Sequence, residues 1–356
     1  MKSLEDLNLP NVLQFIDGKY VTNITEWEKR REEIKQILVE EEYGNIVLKP
    51  HVPISFETIK EDDKYCGAKF VYKEVKLTLH LENNNFSFII KMSIPKDNYS
   101  IKTFLYISFY TEFPNQYLPV EEICDRGYAV VQFCYTDITS DDENFNNGLS
   151  KYFYIDEMHR DFGKISIWAW AASHVMDYLN DVPEIDKNNI AIVGHSRLGK
   201  TALLTSAFDN RFNVVFSNDA GQSGDSLSRG KTGEHIKEIC DRFSYWFTPK
   251  YYNYINKEDN LPFDQHFLLS LIVPRNLYVA SASDNAWADP KSQFLALIAT
   301  NPVYELYNLQ GLASEYKMPN IGEQLKKGKI GYHIRKGWHY LSRYDWNMFM
   351  DYFDNL

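Results

Sequence analysis

Only four cysteines occur in the 356 residues (Cys66, Cys124, Cys134 and Cys240), and none of them forms a Cys-x-x-Cys pair. That scatter argues against a thiolate zinc site and against a disulfide framework, and it suits a reducing compartment. No His-Glu-x-x-His pattern occurs either, so neither a metal nor a cofactor is expected. Positive charge is in short supply: 38 Lys and Arg face 49 Asp and Glu, for a formal net charge of −11. Neither nucleic acid nor an anionic membrane surface is then expected as the main partner. The segment Met1 to Tyr20 lacks the apolar core of a signal peptide, and no later run is long and apolar enough to span a bilayer. A cytoplasmic protein is the expectation. Low-complexity linkers and internal repeats are missing too, so nothing in the composition divides the chain. The oligomeric state is not legible.

What the chain does have is aromatic rings, 15% of its residues. Such rings suit ordinary cores as well as stacking on sugars. Thr25 and Glu28 have the spacing of a capping box for a helix running to about Val39, and the Glu40-Glu41-Glu42 run after it reads as a solvated helix end. Alternation over Val75–Leu81 and Phe86–Ile94 predicts a hairpin across Asn83-Asn84-Asn85. From Phe104 onward, short apolar runs at 104–109, 128–133, 190–193, 214–217, 277–280 and 330–334 read as buried strands. Helical patterns at 165–179, 291–299 and 345–353 fall between or after them. Strands alternating with helices predict an α/β fold with a mostly parallel central sheet flanked by helices. The expected organisation is one domain over residues 1–356: an N-terminal helix and hairpin extension over 1–95, then a core over 96–356.

Residues 194–201, Gly-His-Ser-Arg-Leu-Gly-Lys-Thr, satisfy two incompatible templates. One is the phosphate loop Gly-x-x-x-x-Gly-Lys-Thr of nucleotide-binding proteins. The other is a nucleophile elbow, with Ser196 on a tight turn between a strand and a helix. About half the sheet precedes the octet, which is late for a phosphate loop. The only Walker-B-like run, Val214 to Asp219, is interrupted by Ser217 and Asn218. The elbow demands an acid and then a histidine further along, and Asp284 and His339 follow the strands at 277–280 and 330–334. The elbow reading therefore prevails, although Arg197-Leu198 stands between Ser196 and Gly199 where the usual motif has one residue.

Gly-x-Ser-Arg-x-Gly-Lys resembles the signature of carbohydrate esterase family 15, the glucuronoyl esterases, and of bacterial relatives labelled acetylxylan esterases. Similarity extends to Trp27-Glu28-Lys29-Arg30-Arg31, Ser217-Asn218-Asp219-Ala220-Gly221, Pro262-Phe263-Asp264-Gln265-His266, Trp287-Ala288-Asp289-Pro290 and Gly331-Tyr332-His333-Ile334-Arg335. The resemblance implies an α/β-hydrolase fold and a serine esterase acting on a carbohydrate or uronate ester. An acetyl-sugar esterase is the alternative.

In that reading Ser196 is the nucleophile and His339 the base that takes its proton. His333 and His195 read as structural or supporting residues, and His235 and His266 have no topological argument. The acid stays open: Asp284 holds the position that the fold expects and is favoured on geometry. Asp219 matches the place where fungal members carry a glutamate. Asp289, before Pro290, reads as a helix opener. The backbone N–H of Arg197 is the expected oxyanion donor. The segment Phe109-Tyr110-Thr111-Glu112 offers no glycine run for a second donor, and the resemblance implies that the Arg197 side chain supplies it. The resemblance also implies a sugar contact for Lys200, against an ion pair with Glu234 or Asp225 as the plain alternative. It implies a stacking role for Trp287, against core packing. Glu234 is a further candidate for a sugar hydroxyl.

Overall fold

A computed structural model describes residues 4–96, 99–314 and 317–356. Its strands are β1 (Ile54–Lys64), β2 (Phe70–Leu81), β3 (Asn84–Pro95), β4 (Ile101–Ser108), β5 (Ala129–Cys134), β6 (Ile185–His195), β7 (Val214–Asn218), β8 (Asn276–Ala282), β9 (Gln324–Leu325) and β10 (Ile330–Arg335). They form one sheet in the order β1-β2-β3-β5-β4-β6-β7-β8-β10-β9. From β5 through β10 the neighbours run parallel. The first three strands and the short β9 add antiparallel edges. The helices of eight or more described residues are α1 (Ile24–Leu38), α2 (Lys164–Leu179), α3 (Arg197–Phe208), α4 (Ile236–Phe243), α5 (Pro290–Leu306) and α6 (Arg343–Phe353).

The central strands read as continuous apolar runs because both their faces are covered. Successive residues of β4 go to opposite sides: Leu105 and Ile107 join the core that includes Ile167 and Trp168 of α2 and Leu203 of α3. Phe104 and Tyr106 join a second core with Trp346, Phe349 and Phe353 of α6. The sheet is thus sandwiched, as in an α/β hydrolase. The hairpin is continuous with it, since β3 pairs with β5 through Ile90↔Phe133 to Ser93↔Val130.

Several local expectations are corrected. The cap of α1 is Asn23, whose side chain accepts from Glu26 N, and not Thr25. Glu26 reaches back to the Thr22 N–H and hydroxyl. In the hairpin Leu81 pairs with Asn84, so the turn is Glu82-Asn83, shorter than expected. The acidic run is not uniformly solvated: Glu42 is fully buried and receives the Gln265 side-chain N–H at 3.0 Å. β1 has no counterpart among the expected strands, because nearly all of it is exposed and its apolar alternation does not extend beyond Ile54 and Phe56.

Parallel register brings the strand ends to one edge. His195 lies opposite Asn218 and Asn218 opposite Ala280, while Ala282 pairs with Arg335. The residues that follow these ends, Ser196, Asp219, Asp284 and His339, therefore gather where open α/β sheets bind ligands. Among the described residues no helix is long and apolar enough to cross a membrane.

Candidate active site

β6 ends at His195, and α3 begins at Arg197. Ser196 between them has φ 58° and ψ −127°, a backbone state that costs a non-glycine residue about 1–3 kcal/mol. Its N–H donates to Asn218 O at 2.9 Å, and its carbonyl accepts from Gly199 N at 2.9 Å. The turn needs Gly194, where a Cβ would lie 1.9 Å from Leu198 O. Gly199 allows the helix to approach the next strand, since a Cβ there would sit 3.0 Å from Ala220 Cβ and 3.1 Å from Ser217 Oγ. Leu198 is tolerated in place of glycine because it is buried in the core. The octet is an elbow. Its lysine, which would hold phosphates in the other template, points instead to Ala220 O.

A cleft of about 310 Å³ opens at the turn, lined by Ser196, Arg197, Lys200, Asp219, Glu234, Trp246, Asn285, Trp287 and His339, with Arg242 among its other walls. His339 Nδ1 lies 3.8 Å from Asp219 Oδ2. Asp219 is buried, with φ 49°; its Oδ1 accepts from Ala282 N at 3.2 Å, and Oδ2 has no hydrogen-bond partner. Burial raises the Asp219 pKa, and His339 opposes that shift. The favoured acid, Asp284, is turned elsewhere. Its backbone N–H joins the Gly337 carbonyl at 2.9 Å, but its carboxylate is taken by Lys336 Nζ at 2.6 Å, which holds its pKa low. It does not line the cleft, so geometry places Asp219, and not Asp284, opposite the histidine.

The Arg197 guanidinium pairs with Asp141 and lies 4.7 Å from the Trp246 ring centroid. Its Nε is buried without a partner. Asp141 also accepts from Trp246 Nε1 at 2.7 Å and from the Tyr135 hydroxyl at 2.8 Å, so one carboxylate fixes both the arginine and a wall of the cleft. Lys200 is buried, and burial lowers its pKa against the fields of Glu234 and Asp225. Neither of the two carboxylates forms an ion pair with it. Asp225 is already occupied by Ser217 Oγ, Gly221 N and Gln293 Nε2, at 2.8, 2.7 and 2.8 Å. Trp287 is 43% exposed, which excludes core packing, and the Arg242 guanidinium lies 5.6 Å from its ring. Glu234 borders the same cleft, its N–H bound to Trp287 O at 3.0 Å.

Three other histidines singled out in the sequence are held locally. His333 bonds Asp345 at 2.9 Å inside the core, His235 caps α4, and His266 contacts Pro10 O at 3.1 Å. Asp289 is the N-cap of α5. Asp141 and Asn285, whose amide nitrogen lies 3.0 Å from His339 Nδ1, were not legible in the sequence, since neither sits in a motif. Among the described residues, one group has three side chains spaced to hold a metal: His51, His174 and Asp177. Its donors are engaged: His174 Nδ1 bonds Trp170 O, His174 Nε2 accepts from Val52 N, and Asp177 binds His51 and Arg211. All four cysteines are free.

The family described as glucuronyl esterase, fungi, matches residues 78–308. A carbohydrate esterase from an unknown prokaryotic organism is 30% identical over 98% of this chain and 89% of its own length. A 4-O-methyl-glucuronoyl methylesterase from Phanerochaete carnosa is 25% identical over 84% of this chain and 72% of its own. Among solved structures, the glucuronoyl esterase from Solibacter usitatus superposes with a TM-score of 0.89 at 30% identity, covering 98% of this chain and 97% of that one.

Proposed function

The chain belongs to the glucuronyl esterase family, a family of carboxylic ester hydrolases acting on carbohydrate esters, and from that premise we propose that it hydrolyses uronate esters through Ser196, His339 and Asp219. Ser196 Oγ attacks the ester carbonyl while His339 takes its proton. Asp219 takes over Nδ1 from the Asn285 amide nitrogen, which lies 3.0 Å from that atom, and so orients the ring and stabilises the imidazolium that forms. The Arg197 N–H, one of the donors that a helix start leaves unpaired, and the Arg197 side chain receive the oxyanion. His339 then returns its proton to the departing alcohol and activates the water that frees the acyl group.

The observation that carries the uronate reading is that Lys200, Glu234 and the half-exposed Trp287 line the same cleft as Ser196, and we assign the acyl part of the ester to them. An acetyl group has no use for two charged side chains and an indole, whereas a uronic acid ring offers hydroxyls to the first two and a face to the third. Four free thiols suit a reducing compartment, so we place the enzyme in the cytoplasm. The test compares the wild type on benzyl glucuronate and on acetylated xylo-oligosaccharides. The expected result is a higher kcat/KM on the glucuronate. Preference for the acetyl esters overturns the substrate class.

A further inference from the structure

His195 and His339 lie ring against ring, centroids 4.4 Å apart and planes inclined by 37°. The two imidazoles have parallel attachments. His195 Nδ1 meets Asn218 Oδ1 at 2.6 Å, and the next residue, Asp219, faces His339 Nδ1. An amide oxygen can only accept, so His195 carries its proton on Nδ1. The Asn218 nitrogen is left buried without a partner. His195 is fixed in addition by the ladder between β6 and β7, and by Tyr117 and Phe109, whose rings lie 5.3 and 6.1 Å away. His339 is the looser of the two. It stands in a loop beyond β10, and its side chain is 43% exposed.

We propose that His195 is a positioning residue for the esterase reaction: a buried imidazole whose ring face sets the plane of His339 toward Ser196. The inference rests on the reading of His339 as the base. A cation at His195 would oppose the imidazolium that must form on its neighbour. Burial, with His339 acting in the same sense, holds the His195 pKa down at about 3. The groups acting on the pair are Asn218, Asp219, Asn285 and Asp345, and none of these carboxylates bonds His195 directly. A flat, buried and fixed neighbour is what the geometry supplies.

Two substitutions in the full chain separate the ring from its hydrogen bond. His195→Phe keeps a flat buried ring and loses the bond to Asn218, whereas His195→Gln keeps an amide for Asn218 and loses the ring. With benzyl glucuronate as substrate, His195→Phe is expected to retain kcat within about threefold. His195→Gln is expected to lose at least tenfold in kcat with KM changed less than twofold. Folding is checked by circular dichroism and thermal melting, and His195→Tyr repeats the comparison if the Phe variant does not fold. The reverse order, loss in both folded variants or loss in neither overturns the inference. His339→Ala serves as the reference: if it keeps wild-type kcat, the reading of the base fails. If it is inactive while the His195 series is unchanged, the positioning role alone fails.

Discussion

Asp219 and His339 face each other across 3.8 Å between Oδ2 and Nδ1, and the Asp219 oxygen that points there has no other partner. A buried acceptor left idle beside an imidazole is costly unless the two meet during the reaction. Catalytic hydrogen bonds are often long before substrate binds.

Asp219→Asn is therefore expected to lower kcat by about 10³–10⁴-fold at neutral pH, with the fold intact. Asp284→Asn, which only releases Lys336, is expected to stay within a few-fold of the wild type. Steady-state kinetics of the two variants checks the assignment, and the opposite ranking contradicts it.

Arg197→Ala is expected to cost about 10²–10³-fold in kcat, the loss typical of one oxyanion donor. Asp141→Asn is expected to move kcat in the same direction by a smaller factor. It leaves the guanidinium in place on Trp246 but no longer held by charge. Near-normal kcat in Arg197→Ala removes the arginine from the mechanism.

Trp287→Ala is expected to raise KM for a glucuronate ester about five- to tenfold while kcat changes little, because ring stacking binds ground state and transition state alike. An unchanged KM shows that the indole does not meet the sugar.

These residues also mark how far the sequence could be read. The central strands were legible because burial on both faces leaves unbroken apolar runs, and the elbow was legible because Gly194 is forced by a carbonyl 1.9 Å from its missing Cβ. β1 was not, since in an exposed edge strand with a charged second half the alternation stops after Ile54 and Phe56. Asp219 and Asp284 both follow strands, and their positions along the chain cannot tell which carboxylate Lys336 will capture. Asp141 acts across a distance in sequence that no motif spans, from a loop to the start of α3.

Glu42 gives a prediction about stability. Burial pushes its pKa up to about 8, above the ordinary carboxylate value of the unfolded chain. The folded state thus binds a proton that the unfolded state releases, so stability falls as pH rises through the window from about 4.5 to about 8. Glu42→Gln removes this dependence. Its melting temperature is expected to exceed that of the wild type by several degrees at pH 9, and to differ little at pH 4.5. Equal differences at both pH values contradict the burial account.

The most direct test of the esterase reading is the release of glucuronic acid from benzyl glucuronate by the wild type and by Ser196→Ala. Steady release by the wild type and a fall of at least about 10³-fold in the folded variant are expected. Equal release by both proteins, or none by the wild type, contradicts that reading.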